Sequence, residues 1–294
     1  MKAIAFSILF LTSLPVFAAL DTNQIQQAIG IKGTWNATEG VFKITSPRTD
    51  VKVSVDGWTM PPFMGLASWA AFNEGKTNDA MVMGDNVLFQ DEVNPVMSVA
   101  LDSGLSVTAL HNHFFYDDPK VFFMHISGEG SAEQLATAIR KVWDKVKEIR
   151  AANSKPATTF NGASMPATNS ITGKTIEDII GVKGQANNGM FKIVIGRTTK
   201  LPCGCEMTKD MGVNTWAAFA GADNNALVDG DFAVEENQLQ PVLKTLRHAG
   251  INIVAIHSHM TGENPRILFL HYWGRGGTVD LTKSLKAALD SQKK

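Results

Sequence analysis

The chain has 294 residues, a formal net charge of −1 and 19% charged residues, which excludes the basic face that nucleic acid or an anionic lipid surface requires. Its 44% hydrophobic fraction is ample for folded cores. Two cysteines, Cys203 and Cys205, cannot build a disulfide framework. Their C-x-C spacing leaves a local bond, a surface dithiol or, with Met207 nearby, a soft-metal pair.

In chain order, the first expected element is an export signal over residues 1–18. Met1-Lys2-Ala3 opens it, an apolar run reaches Leu14, and Pro15-Val16-Phe17-Ala18 places small residues for cleavage after Ala18. The run is too short for a membrane span, and no later segment holds about 18 unbroken apolar residues. No cysteine follows the cleavage point to carry a lipid anchor, so the expected product is a soluble periplasmic or secreted chain.

A first module is read over 19–150, a linker over 151–173 and a second module over 174–294. Within each module the order reads helix, several strands, helix, hairpin, helix. Proline suits a first helical position, so Asn94-Pro95 and Gln240-Pro241 predict the starts of the inner helices. Gly104 and Gly250 predict their ends. Strands are predicted over 106–113 and 121–127, joined by a turn through Asp117-Asp118-Pro119-Lys120. Leu135, Ile139, Val142, Trp143, Val146 and Ile149 recur at helical spacing, and Leu281, Leu285 and Leu289 do the same at the end of the second module. Residues 151–173 are rich in Ala, Ser, Thr, Asn and Pro, without apolar period.

The modules are copies. His111-Asn112-His113 and His125 recur as His257-Ser258-His259 and His271, each pair 146 residues apart, and these are six of the seven histidines. Residues 105–130 overlay residues 251–276 without a gap. Gly84-Asp85 answers Gly230-Asp231, and Trp69-Ala70-Ala71-Phe72 answers Trp216-Ala217-Ala218-Phe219. This is one domain-sized duplication. The fold class expected is α+β: two helix-flanked antiparallel sheet modules packed with pseudo-twofold symmetry.

Side chains alternate across a strand, so His111 and His113 should share a face, and folding the hairpin should bring His125 opposite His111. His257, His259 and His271 repeat the arrangement. Three converging imidazoles suit a transition metal, and a site left partly open could activate water. Zinc is the first choice; copper, iron and manganese also accept imidazole. A single H-x-H reads as polar sheet pairing, but three in register in both copies read as a metal site. For a general base or fourth ligand the candidates are Glu92 and Glu236, although in strict register Glu92 meets Gln238 and Glu236 meets Gln90. Carboxylates at helix starts also have a plain dipole explanation.

Asp117 and Glu263 read as turn residues, and Trp69 and Trp216 as core packing. Arg48 and Arg197 read either as holders of an anion or as structural ion pairs. His248 reads as a helix C-terminal cation outside the site. Two partner classes fit: a small-molecule substrate turned over by a hydrolase or lyase, or the metal ion itself, held, delivered or used to staple hairpins.

Val213 to Phe219, Val228-Asp229-Gly230-Asp231-Phe232, Ala255 to Met260 and His271-Tyr272-Trp273-Gly274 together resemble the bacterial LppY/LpqO family, as do Asp91 to Val96 and Leu110 to His113. That resemblance implies an exported protein and no particular activity. The H-x-H with a third histidine across a hairpin is also similar to the zinc site of acetolactate decarboxylase. This looser likeness implies a three-histidine zinc site, nearby carboxylates and a small oxygen-rich substrate.

Overall fold

The computed structural model describes residues 20–293, except 77, 78, 161 and 163. The expected signal segment lies outside the described residues. The first copy runs α1 (Thr22–Ile29), β1 (Gly33–Asn36), β2 (Val41–Pro47), β3 (Ser54–Val55), β4 (Trp58–Thr59), β5 (Ala67–Glu74), β6 (Ala80–Phe89), α2 (Gln90–Asp102), β7 (Ser106–His111), β8 (Asp117–Asp118), β9 (Val121–Gly130) and α3 (Ala132–Ala152). The second runs α4 (Gly173–Ile180), β10 (Gly184–Asn187), β11 (Met190–Gly196), β12 (Thr199–Lys200), β13 (Glu206–Met207), β14 (Asn214–Ala222), β15 (Asn225–Glu235), α5 (Leu239–His248), β16 (Asn252–His257), β17 (Ile267–Gly276) and α6 (Thr278–Ser291). The class is mixed α and β, with a large antiparallel sheet and helices packed on it.

Twelve strands form one sheet, ordered β1-β2-β5-β6-β9-β7-β16-β17-β15-β14-β11-β10. The order reads outward identically in both directions from the β7–β16 junction, where Leu110 pairs with Ile256. One sheet face carries the main core: Phe72, Val82, Leu88 and Ile126 pack with Ile139, Val142 and Trp143 of α3, and the second copy repeats this with Phe219, Val228, Leu270 and Leu285. Leu135, Ile139, Val142 and Trp143 are all buried, as the helical spacing requires.

α2 begins about a turn earlier than its proline predicts, whereas α5 begins at Leu239, one residue before the expected Gln240-Pro241 start. α2 starts at Gln90 with Pro95 inside it, and a 3₁₀ turn, Glu236–Gln238, runs into α5 ahead of Pro241. The cause is side-chain capping: Glu92 accepts from the Phe89 N–H (2.8 Å) and Gln238 from the Glu235 N–H (3.0 Å). Gly104 and Gly250 follow the helices at φ 84° and 76°, the left-handed conformation expected of them.

Asn94 and Gln240 instead tie the copies together. The Asn94 amide donates to Ile253 O (3.0 Å) and accepts from Ile253 N (2.7 Å), while Gln240 makes the same pair of bonds to Val107 at 2.9 Å each. Val107 and Ile253 adjoin the bulges of β7 and β16, where the strands need another partner for their backbone groups. Asn94→Ala and Gln240→Ala are each expected to cost about 1–3 kcal/mol, because each strands a buried donor and acceptor. Chemical unfolding of the two single variants and the double variant checks this.

Candidate metal centre

The sheet face away from the main core carries the histidines. His125 lies between Asp85 on β6 and Ala109 on β7, and His271 between Asp231 on β15 and Ala255 on β16. Trp69 is paired with Asp85, and Trp216 with Asp231. Each copy thus carries one cross-strand row, Trp-Asp-His-Ala, on this face. The tryptophans are half-buried here rather than in the core, with the ammonium of Lys43 4.5 Å from the Trp69 ring and that of Lys192 4.3 Å from the Trp216 ring.

The expected pairing of His111 with His125 is corrected: His111 faces Phe123, and His257 faces Phe269. The strands end at His111 and His257, and after a bulge in each strand Ala109 pairs with His125 and Ala255 with His271, so the register is offset by two residues. Diagonal neighbours remain within reach of aromatic rings. Ring centres lie 5.2 Å apart for His111–His125 and 4.8 Å for His257–His271. His113 and His259 sit in the loops just past the strands and stack on Phe123 at 3.5 Å and on Phe269 at 3.4 Å. Two small apolar clusters form the floor, Val87, Phe89 and Phe123 among them in the first copy, and Val213, Ile267 and Phe269 in the second.

In the second copy, His257 Nε2 and His259 Nε2 are 3.2 Å apart and His259 Nε2 is 3.8 Å from Asp231 Oδ2. Donor atoms of Asp231, His257 and His259 all lie within 4.8 Å of one another, a group able to hold a metal ion. His271 stacks on His257 instead of turning a nitrogen into that group. In the first copy the rings of His111, His113 and His125 lie nearly parallel, at 12° and 24°, and no such donor group forms among the described residues.

Burial pushes the Asp231 carboxyl up from 3.8 to about 6, against the pull of His271. Burial, helped by His271 and His259, pushes His257 down to about 4. His113 and His259 are also lowered, chiefly by burial. Neutral imidazoles are the form that binds metal. Among the described residues Asp85 Oδ1, Asp231 Oδ1, His125 Nδ1 and His257 Nδ1 are buried without a hydrogen-bond partner, an unusual concentration on one face.

Glu92 stands elsewhere. It is 0% exposed and forms a bidentate pair with Arg48 (2.8 and 2.9 Å), a further pair with Arg150 (2.8 Å), and the α2 cap. Arg48 also holds Asp50, and Arg150 holds Asp91. A carboxylate shared between two guanidiniums has no role as base or ligand, so the sequence-based assignment of Glu92 is corrected to a structural one. Gln238 occupies the matching slot and donates to the Gln292 carbonyl, while the Gln292 side chain accepts from Arg197. Glu236 is exposed at the 3₁₀ turn and is absent from the histidine group. Arg48 and Arg197 are accordingly structural. Asp117 and Glu263 close turns by accepting from Val121 N (2.6 Å) and Ile267 N (3.1 Å), as read from sequence. His248 pairs with Asp102 at 2.8 Å, away from the site.

The carboxylates that do meet the histidines, Asp85 and Asp231, were missed as site residues. The signal was present: they are acids in strict register, 146 residues apart, unlike Glu92 and Glu236.

A family described as a Domain of Unknown Function (DUF1259) matches residues 23–145 and again 174–291. No curated protein matches. Among solved structures, the double ringed trimeric shell protein from the RMM microcompartment is 12% identical, with 85% of this chain and 96% of that one covered and a TM-score of 0.20, too low to carry an argument.

Proposed function

The chain belongs to the DUF1259 family, and on that premise we propose that it is an exported metalloprotein with one site per copy. His257, His259 and Asp231 are the proposed ligands of the second copy, with His271 beside them. His111, His113, His125 and Asp85 form the corresponding set in the first. The observation that carries this reading is the convergence of two imidazole nitrogens and a carboxylate oxygen within 4.8 Å. Zinc comes first, because it takes His and Asp ligands in catalytic sites; two histidines and one carboxylate also suit iron. The likenesses to the LppY/LpqO family and to the acetolactate decarboxylase zinc site belong to this proposal, as does the periplasmic location. Among the described residues no helix is long and apolar enough to cross a membrane. The outward-repeating strand order supports a pseudo-twofold relation between the two sites.

As an activity we propose hydrolysis or bond cleavage on a small molecule. A metal held here would polarise a carbonyl or acidify a water. His271, stacked on His257 and across from Asp231, is placed to hold or move a proton. The competing reading, a protein that holds or delivers metal without turnover, draws on the exposure of His113 and His259.

The test is metal content by mass spectrometry on the mature, untagged protein. Close to two equivalents are expected, the second copy filling first because its donors are already gathered. His257→Ala and His111→Ala should each remove one. If zinc, copper, iron and manganese all fail to bind, the reading is wrong.

A further inference from the structure

We propose that the cavity between the two copies receives the body of the substrate at the second-copy site. Its occupant is an uncharged or cationic small molecule with an aromatic or branched apolar body and one oxygen-bearing end group. This rests on the metal reading above and deepens it.

The cavity holds about 380 Å³, within the range of small-molecule sites. Phe122 on β9 of the first copy, Phe160 of the linker, and Ile253 and Trp273 of the second copy form its apolar walls. His271 opens onto the same cavity, and its ring lies 4.8 Å from that of His257, so His271 stands between the cavity and a proposed ligand of the metal. Two larger clefts, of about 430 and 520 Å³, contain no histidine, and the second is lined by Glu235, Glu236 and Glu263.

The linker contribution was invisible in its composition. Ala157 N donates to Asp91 Oδ2 (3.1 Å), and Asp91 is itself paired with Arg150, which anchors the segment just before Phe160. Phe160 keeps 58% of its surface exposed and turns it toward the cavity. Asp229 lies beside Trp273 in the same wall, its cross-strand partner, and places a carboxylate against the occupant. That disfavours an anionic body, while Gln90 and Asn252 in the same wall leave room for a few hydrogen bonds to an otherwise apolar one.

The experiment compares two metal-chelating probes on metal-loaded protein by calorimetry: benzohydroxamate, with an aromatic body, and acetohydroxamate, without one. Benzohydroxamate should bind about 30-fold more tightly, the gain expected for burying a phenyl ring. In Phe122→Ala and Phe160→Ala this ratio should fall to about five-fold or less while metal content stays unchanged. Equal binding of the two probes to protein that does hold metal overturns the inference and leaves the metal reading standing. A metal-independent arm measures 4-methylbenzyl alcohol on metal-free protein: binding weakened by Phe122→Ala supports the cavity, and no binding overturns it. Failure to load metal is seen separately in the metal content and counts against the metal reading.

Discussion

Glu92→Ala is expected to destabilise the protein by about 3–5 kcal/mol, the largest effect of any single carboxylate removal here. Glu92 is fully buried between Arg48 and Arg150 and also caps α2. Its loss leaves two guanidiniums, each largely sequestered from water, without the charge they share. Glu236→Gln, at an exposed position, should change stability by less than about 0.5 kcal/mol. Urea unfolding monitored by circular dichroism separates the two. Metal content gives the second readout: Glu92→Ala protein that still folds should keep its metal. Loss of metal from a fully stable Glu92→Ala protein would restore the site assignment that the geometry removes.

Asp231→Asn should act in opposite directions on stability and on metal. In metal-free protein the Asp231 carboxyl is raised to about 6 by burial. Below about pH 3.8 both folded and unfolded chains hold this proton and the group has no effect on stability. Between 3.8 and 6 the unfolded chain has lost the proton while the folded chain keeps it, so this group lowers stability as pH rises. Above 6 the full cost is present, about 3 kcal/mol at 1.36 kcal/mol for each tenfold change. Asp231→Asn should therefore stabilise metal-free protein at pH 7–8 by up to about that amount and by nothing near pH 3.5.

His257 works the other way. With its imidazole pushed down to about 4, the unfolded chain takes up the proton first as pH falls from 6.5, and stability falls with it. In the natural protein the two slopes oppose each other over nearly the same range. Asp231→Asn should expose the His257 slope as a steady loss of thermal stability between pH 6.5 and 4. With metal present the ranking reverses: Asp231→Asn should lower the affinity of the second site by about 100-fold or more, because a charged ligand is lost. Thermal melts across pH, with and without zinc, check both halves. An Asp231→Asn protein no more stable than the natural one at pH 8 would show that the carboxylate is solvated in the folded state.

The sequence alone determined the duplication, the module order and the six clustered histidines, because each is a matter of spacing along the chain and the two copies check one another. His111 against His257 and His125 against His271 could be aligned without any structure. The helix ends at Gly104 and Gly250 were legible for the same local reason: a glycine suits the left-handed turn that follows a helix. The start of α5 was legible to within a residue, but that of α2 was not, because the Glu92 side chain supplies a cap that outweighs the preference of Pro95.

Only the tertiary structure decided which carboxylates stand beside the histidines. Asp85 comes from β6 and His125 from β9, 40 residues apart in the chain, and the strand register sets them side by side. Proximity along the chain pointed to Glu92, but two arginines claim it, one from 44 residues before and one from 58 after. The hairpin register moved Phe123 and Phe269 into the places where a histidine was expected. Spacing predicts which side chains share a face. Contact across strands depends on register, and register is settled by turns, bulges and the packing of both sheet faces.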